Sequence, residues 1–444
     1  MNVLFVSLGC DKNLVDSEVM LGLLRDKGYS LTNEEAEADV IVINTCCFIH
    51  DAKEESIQTI LEMAEYKKLG RLKVLLVTGC LAQRYQKQIL EEIPEVDAVL
   101  GTTATDQIVE AIEEALEGKQ VERYAGLEEL PLPETNRVNT TGGYYSYLKI
   151  AEGCDKHCTY CIIPSLRGNF RSVPMERLVK EAEFLAEGGT KELILIAQET
   201  TVYGIDLYGK KMLPELLNRL CEIPGIEWIR LLYCYPEEIT DELIQTMKNQ
   251  PKICHYLDMP IQHAADTVLK RMGRRTNRKE LDDLIAKLRR EIPDIALRTS
   301  LITGFPQETE EEHAELLDFV EKAGFERLGV FTYSKEENTP AARMKGQITK
   351  KVKLARQKEL MRLQQEVSKR RGEEKVGKTI KVIIEGKLPE DGIFIGRSYM
   401  DAPNVDGYVF VHSVDSYLSG EIIDVKITQA KEYDLIGEAI SELD

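Results

Sequence analysis

Three apolar runs of strand length open the chain: V-L-F-V at Val3–Val6, V-I-V-I at Val40–Ile43 and V-L-L-V at Val74–Val77. Helical periodicity separates them, with helix starts expected near Asp16, Asp51 and Leu81. Continuous apolar runs punctuated in this way read as parallel strands buried on both faces. A fourth strand is expected around Val96 to Leu100, so residues 1–120 form a doubly wound α/β domain. The pattern then fades. The stretch 121–143 carries Pro131, Pro133, Asn136 and Gly142 with little periodicity and reads as a linker.

From Tyr144 the alternation restarts on a larger scale. Six strand candidates come next: Y-S-Y-L-K-I, E-L-I-L-I-A, W-I-R-L-L-Y, H-Y-L-D-M-P, L-R-T-S-L-I-T-G and R-L-G-V-F-T-Y. Helical patterns such as Met175 to Glu187 and Glu308 to Ala323 lie between them. Repeated strand–helix units over 144–373 predict a partial parallel (β/α)6 barrel, whose chemistry belongs at the C-terminal strand ends. Residues 374–444 change to short strands broken by turn residues, predicting a small antiparallel β-barrel.

Cysteine placement brings chemistry into this frame. Each of the first three runs closes on a cysteine: Cys10, Cys46 and Cys80. In an open parallel sheet the carboxyl ends of the strands line one edge, where ligands bind, so three thiolates converge there without any local C-x-x-C motif. A single strand-end cysteine is ordinarily a small buried hydrophobe, and Cys47, Cys221, Cys234 and Cys254 are read as packing residues. A second triad, Cys154, Cys158 and Cys161, comes after the first strand of the partial barrel with Cys-x3-Cys-x2-Cys spacing. Structural zinc takes four ligands, so three thiolates in one loop suit an iron–sulfur cluster with an open iron. The alternatives are free thiols in a reduced protein, or zinc completed by His157.

Charge narrows the partners. The chain has 444 residues, ten cysteines and a formal net charge of −19, which weighs against general nucleic-acid binding. No run approaches the roughly 18 apolar residues of a membrane span, and the cysteine usage suits a reducing, cytoplasmic setting. Basic residues cluster in Lys270–Lys279, six of them with no acid, and in the helical pattern from Lys350 to Arg371, read as a solvated face. From residue 374 onward 14 acidic side chains face 7 basic ones, a balance of −7 that suits a basic partner better than phosphates.

With these motifs in place, the chain resembles the radical S-adenosylmethionine methylthiotransferases over essentially its whole length: a cysteine-bearing N-terminal domain, a C-x3-C-x2-C barrel and a C-terminal TRAM domain. Within that family it is most similar to the ribosomal-protein aspartate methylthiotransferases (RimO type). The stretches that carry the likeness are S-L-G-C-D-K-N-L-V-D-S-E at Ser7 to Glu18, C-I-I-P-S-L-R-G at Cys161 to Gly168, P-I-Q-H-A-A-D at Pro260 to Asp266 and G-R-S-Y-M-D-A-P-N-V-D-G at Gly396 to Gly407. The tRNA adenosine methylthiotransferases (MiaB type) differ in the first and third of these.

The resemblance implies a substrate, an aspartate of small-subunit ribosomal protein uS12, with tRNA not the primary substrate. It implies two [4Fe–4S] clusters, one on Cys10, Cys46 and Cys80 and one on Cys154, Cys158 and Cys161, the second binding S-adenosylmethionine. A 5′-deoxyadenosyl radical would remove hydrogen from the aspartate β-carbon, an unactivated C–H that no general base could attack. The first cluster would carry or donate the sulfur, and a second S-adenosylmethionine the methyl group. An electron donor such as flavodoxin or ferredoxin is implied, and nothing requires more than a monomer. Tyr160, Gln198, Glu199, Arg298, Ser300 and Gly304 match regions that meet the cofactor. Arg298 is expected to pair with the methionyl carboxylate, and Gln262 and His263 are expected to face the substrate, with a structural histidine as the alternative for His263. The competing readings are the same chemistry on tRNA and a non-catalytic zinc protein that binds RNA or ribosomes.

Overall fold

The computed structural model describes residues 1–389 and 392–440. Its first sheet has six parallel strands in the order Ser30–Leu31, Asn2–Ser7, Val40–Thr45, Val74–Gly79, Ala98–Leu100, Val121–Arg123. Every residue of Val40–Thr45 and Val74–Gly79 is buried, as runs covered by helices on both faces must be. Helices begin at Asp11, His50 and Cys80, each within five residues of its expected start. The strand order reverses between Asn2–Ser7 and Val40–Thr45, which makes their carboxyl ends a topological switch point.

The sheet runs past the boundary expected at residue 120. Val121–Arg123 pairs with Ala98–Leu100 as its last strand, too short for periodicity to reveal. Residues 124–143 then carry no helix or strand, yet they are tied down. Arg137, almost fully buried, bridges Glu18 at 3.2 Å and Glu181 at 3.3 Å.

Six parallel strands in sequence order form the open half-barrel: Tyr145–Lys149, Glu192–Ile196, Trp228–Leu231, Ile253–Asp258, Ala296–Thr303 and Arg327–Thr332. Alternation decides what each face meets. Leu193, Leu195, Ile229, Leu231, Leu257 and Leu297 pack outward on the helices. Tyr145, Tyr147, Ile194, Ile196 and Tyr256 point inward and meet Val382, Ile383, Ile384 and Met400 of the C-terminal module. That module is a closed five-stranded barrel in which Val409–His412 and Leu435–Ala439 run parallel and the other four pairings antiparallel.

The long basic helix, Lys350–Glu373, departs from the solvated face expected of it. Arg356, Leu360, Gln364, Val367 and Ser368 are buried along one side. Its bonds close the half-barrel's edge: Arg356 to Glu308 at 2.9 Å, Gln364 to the Phe325 carbonyl at 2.8 Å and Ser368 to the Glu326 carbonyl at 2.6 Å. Among the described residues no helix is long and apolar enough to cross a membrane.

Candidate metal centres and the bridge between them

Convergence of the first three cysteines depends on a glycine. Gly9 has φ +95°, and a Cβ there would stand 2.7 Å from Cys46 Cβ, so only glycine lets the two strand ends approach. Asn13, one turn into the first helix, then staples them together. Its Nδ2 donates to the carbonyls of Leu8 and Thr45, both at 3.0 Å, which lie just ahead of Cys10 and Cys46. Cys10 is exposed, while Cys46 and Cys80 are buried, and all three are free thiols. Burial pushes the Cys46 thiol up to about 12, and the nearby thiols of Cys80 and Cys10 push the same way. Burial also raises Cys80, with Arg167 opposing it. Cys47 is buried in the hydrophobic core.

The second triad sits on a loop held by backbone bonds. The Cys154 N–H donates to the Gly168 carbonyl at 3.1 Å, and the Thr159 N–H to the Met272 carbonyl at 2.9 Å. Gly153 has φ +80° and would place a Cβ 2.1 Å from the Asn169 carbonyl oxygen. Burial lifts the Cys154 thiol to about 11 and that of Cys161 to about 12, where the neighbouring Cys158 and Cys154 add to the rise. Tyr235 Oη lies 3.8 Å from Cys158 Sγ. His157, the candidate fourth zinc ligand, is exposed on the loop.

Among the described residues no three side chains close on a single-ion site, and three thiols spread around a loop or sheet edge are the donor chemistry of an iron–sulfur cluster rather than of one ion. Cys80 and Cys10 add to the rise at Cys46, and Cys158 and Cys154 to the rise at Cys161. Within each triad neighbouring thiols thus stand close enough to disfavour a second thiolate, a repulsion relieved when a cation takes them. None of the six is tied up in a disulfide.

Between the triads runs a polar bridge that sequence reasoning missed. Arg167, 2% exposed, donates to Asp16 at 2.7 Å, to Glu152 at 3.1 Å and to Asn13. Lys149 binds Asp16 and, at 2.8 Å, Glu152. Glu152 accepts from Gln198 Nε2 at 2.7 Å, and Gln198 Oε1 accepts from the Gly153 N–H at 2.9 Å. Thus the staple on Cys10 and Cys46 continues without a break to the loop of Cys154. The first helix docks onto the half-barrel as well: Lys12 lies over the Tyr233 ring at 3.2 Å, and Tyr233 Oη donates to Asp11 at 3.0 Å. A cavity of about 650 Å³ lies on the flank of this bridge, with Asp16, Lys149, Glu152 and Arg137 on its wall and none of the six cysteines.

Other expected cofactor residues fare unequally. Glu199 is buried and its carboxyl is pushed up to about 7 by burial, against the opposing charge of Lys156, whose Nζ stands 3.4 Å from Oε2; Oε2 accepts no hydrogen bond. Tyr160 packs edge-on to Phe305, 6.5 Å between ring centres. Ser300 accepts a backbone bond from Gln262 at 2.9 Å, and Gly304, at φ +73°, leaves room for Lys353. Gln198 is engaged in positioning the cysteine loop. Arg298 requires a correction: its guanidinium is taken by Asp258 at 2.7 Å and Asp406 at 3.2 Å, so it ties the C-terminal module to the half-barrel and is not free for a methionyl carboxylate. His263 requires another. It is fully buried, its Nδ1 accepts from the Ala265 N–H at 3.0 Å, and burial lowers its pKa to about 3, so it is a neutral core residue that does not face a substrate.

Comparison with known proteins follows these divisions. Residues 2–101 match the model of uncharacterized protein family UPF0004, residues 148–320 the radical SAM superfamily and residues 376–440 the TRAM domain. The chain is 72% identical over 439 residues to the ribosomal protein uS12 methylthiotransferase RimO of Lachnoclostridium phytofermentans, covering 99% of this chain and 100% of that one. It is 53% identical over 437 residues to the RimO of Caldanaerobacter subterraneus, covering 98% and 99%. Among solved structures, the radical S-adenosylmethionine methyltransferase TsrM of Kitasatospora setae superposes with a TM-score of 0.56 at 14% identity, covering 77% of this chain and 76% of that one. The cobalamin-dependent radical enzyme OxsB gives 0.52 at 15%, covering 81% and 56%. Both likenesses speak to the fold alone.

Proposed function

The chain belongs to the RimO family of ribosomal protein uS12 methylthiotransferases, and we propose that it methylthiolates the β-carbon of an aspartate in uS12. The observation that carries this reading is the pairing of two three-thiol sites across one bridge, Asn13–Arg167–Glu152–Gln198. When bound, [4Fe–4S] clusters on the two triads and S-adenosylmethionine would supply the radical and sulfur chemistry that an unactivated C–H bond demands.

The protein's own part is binding, orientation and electrostatics. Asn13 fixes the spacing of the strand ends that bear Cys10 and Cys46. Arg167 and Lys149 neutralise Asp16 and Glu152 and set a buried positive charge beside Cys80. Glu199, whose Oε2 faces Lys156 at 3.4 Å but accepts no hydrogen bond, is the acceptor we assign to the cofactor's amino group. Tyr160 and the Ser300–Gly304 segment are assigned to its adenine side, and Gln262 to the substrate side. No residue is assigned as a general acid or base, since His263 is neutral and enclosed.

Acidic composition of the C-terminal module supports a basic protein partner over tRNA. We place the enzyme in the cytoplasm as a monomer that takes electrons from a donor such as flavodoxin or ferredoxin. Anaerobically reconstituted protein would be given reductant, S-adenosylmethionine, a sulfur source and either uS12 or unmodified tRNA. A gain of about 46 Da on uS12, SCH3 replacing H, is expected by mass spectrometry. The same gain on tRNA alone overturns the substrate, and zinc in place of roughly eight irons overturns the enzyme reading.

A further inference from the structure

The basic run Lys270–Lys279 has a purpose that composition concealed. Most of its cations meet acids or solvent. Arg271 pairs with Glu312 at 2.8 Å, Arg278 with Asp282 at 2.9 Å, and Lys279 with Asp283. Lys270 and Arg275 are exposed. Arg274 alone turns inward. It is 7% exposed, its guanidinium lies 4.3 Å over the Tyr235 ring, and Nη2 donates to the Pro260 carbonyl at 2.8 Å. Its Nε and Nη1 are buried with no hydrogen-bond partner.

Arg274 forms no ion pair among the described residues, although Glu237 lies near enough to favour its charge. A buried cation so placed is costly, and its two unpartnered nitrogens suit an anion. The surroundings say which. Gly273, in a left-handed turn at φ +73°, ends the helix Asp266–Met272, and that turn is bonded to the cysteine loop. Thr159 donates through its N–H to the Met272 carbonyl at 2.9 Å and through Oγ1 to the Arg271 carbonyl at 2.8 Å. Tyr235, on which Arg274 stacks, reaches Cys158 Sγ through its hydroxyl. The Arg274 charge is felt at the thiol of Cys161, where it opposes the rise that burial causes.

We propose that Arg274 is the charge-compensating residue of the Cys154–Cys158–Cys161 site, its open N–H groups serving an anionic iron–sulfur group on those thiolates and favouring one-electron reduction of that group. The inference rests on the reading that this triad holds a [4Fe–4S] cluster. Adding an electron makes such a site more negative by one unit, and a fixed cation in a dry setting stabilises the reduced form over the oxidised one. Arg274 acts through the cluster and is a positioning residue in that sense.

The test uses the full chain, reconstituted anaerobically, as wild type, Arg274→Met, Arg274→Lys and Arg275→Met. Iron per chain is measured, and the electron paramagnetic resonance signal that disappears in Cys154→Ala is followed against applied potential with dithionite and mediators. Arg274→Met should keep its iron yet show a reduced fraction about threefold or more lower at the wild-type midpoint. Arg274→Lys should restore most of it, and Arg275→Met should match wild type. An unchanged midpoint in Arg274→Met overturns the proposal, as does a midpoint that holds while S-adenosylmethionine affinity falls, which would assign the guanidinium to the cofactor's carboxylate. Loss of the barrel-site iron in both Arg274 variants, with native circular dichroism, also overturns it by making the residue a packing element. Absence of iron from wild type at this triad would sink the cluster reading itself, a result distinct from any of these.

Discussion

Replacing Arg167 by methionine should loosen the joint between the N-terminal domain and the half-barrel. In the wild type two buried carboxylates, Asp16 and Glu152, face two cations, Arg167 and Lys149. Methionine fills most of the volume but leaves the pair of acids with Lys149 only, one buried negative charge uncompensated. Removing one partner of a buried ion cluster costs about 3–5 kcal/mol. At about 2–4 °C per kcal/mol for a unit of this size, the melting transition of the apoprotein should fall by roughly 6–20 °C. Differential scanning calorimetry reads this directly. Adding Glu152→Gln to Arg167→Met removes the stranded charge and should recover part of the loss, because residues sharing one network are not additive. A single variant that melts within about 2 °C of wild type would refute the reasoning, since the bridge would then be a bystander to packing.

Cys80→Ala and Cys154→Ala should each retain about half of the wild-type iron, and the double variant almost none, by colorimetric iron analysis; full iron in either single variant would remove that cysteine from its site. Although burial works against it, the Asn2 backbone N–H together with Arg71 and Lys73 holds the Asp39 carboxyl down at about 2. Its folded-state pKa lies below the ordinary value of about 3.9, so the stability it contributes is full above that value and is lost as pH falls towards about 2. Asp39→Asn should therefore flatten urea stability between about pH 4 and about pH 2, and an unaltered acid limb would contradict this. A chain ending at residue 373 should lose cooperative melting, because it bares the inward tyrosines and leaves Glu192 without Arg397, its partner at 2.7 Å; an intact transition at the full-length temperature would show that the half-barrel needs no plug.

The strand-end cysteines were legible because a strand buried on both faces writes a continuous apolar run, and the residue that ends such a run stands at the sheet edge. The C-x3-C-x2-C loop was legible in the same way, just past the first strand of the half-barrel. Arg167 was not, since its partners lie 151 and 154 residues away in sequence and no local pattern announces them. Arg298 misled because an arginine on the fifth barrel strand looks available until Asp406, 108 residues later, folds onto it. The long helix misled differently. Its buried side includes Arg356, Gln364 and Ser368, so hydrophobic periodicity had little to report, and the polar groups that lock it reveal themselves only through their partners.

The half-barrel's inner face is divided between two neighbours, one at each end of the strands. Near the strand starts that face is closed by the C-terminal module: Glu192 sits between Arg230 and Arg397, each at 2.7 Å and all fully buried, and Arg327 binds Asp401 at 2.9 Å. These contacts come from Arg397 and from the loop Tyr399–Asp406, within the stretch G-R-S-Y-M-D-A-P-N-V-D-G that first pointed to the family. The opposite end, where Gly153, Gln198 and Glu199 follow their strands, is left to the cysteine loop and the N-terminal domain. An ionic plug suits this division better than an apolar one. Buried ion pairs add little net stability but penalise any arrangement that leaves a charge unpaired. The module is thereby fixed in one orientation, with its remaining acidic surface presented at a set place relative to the two thiol sites.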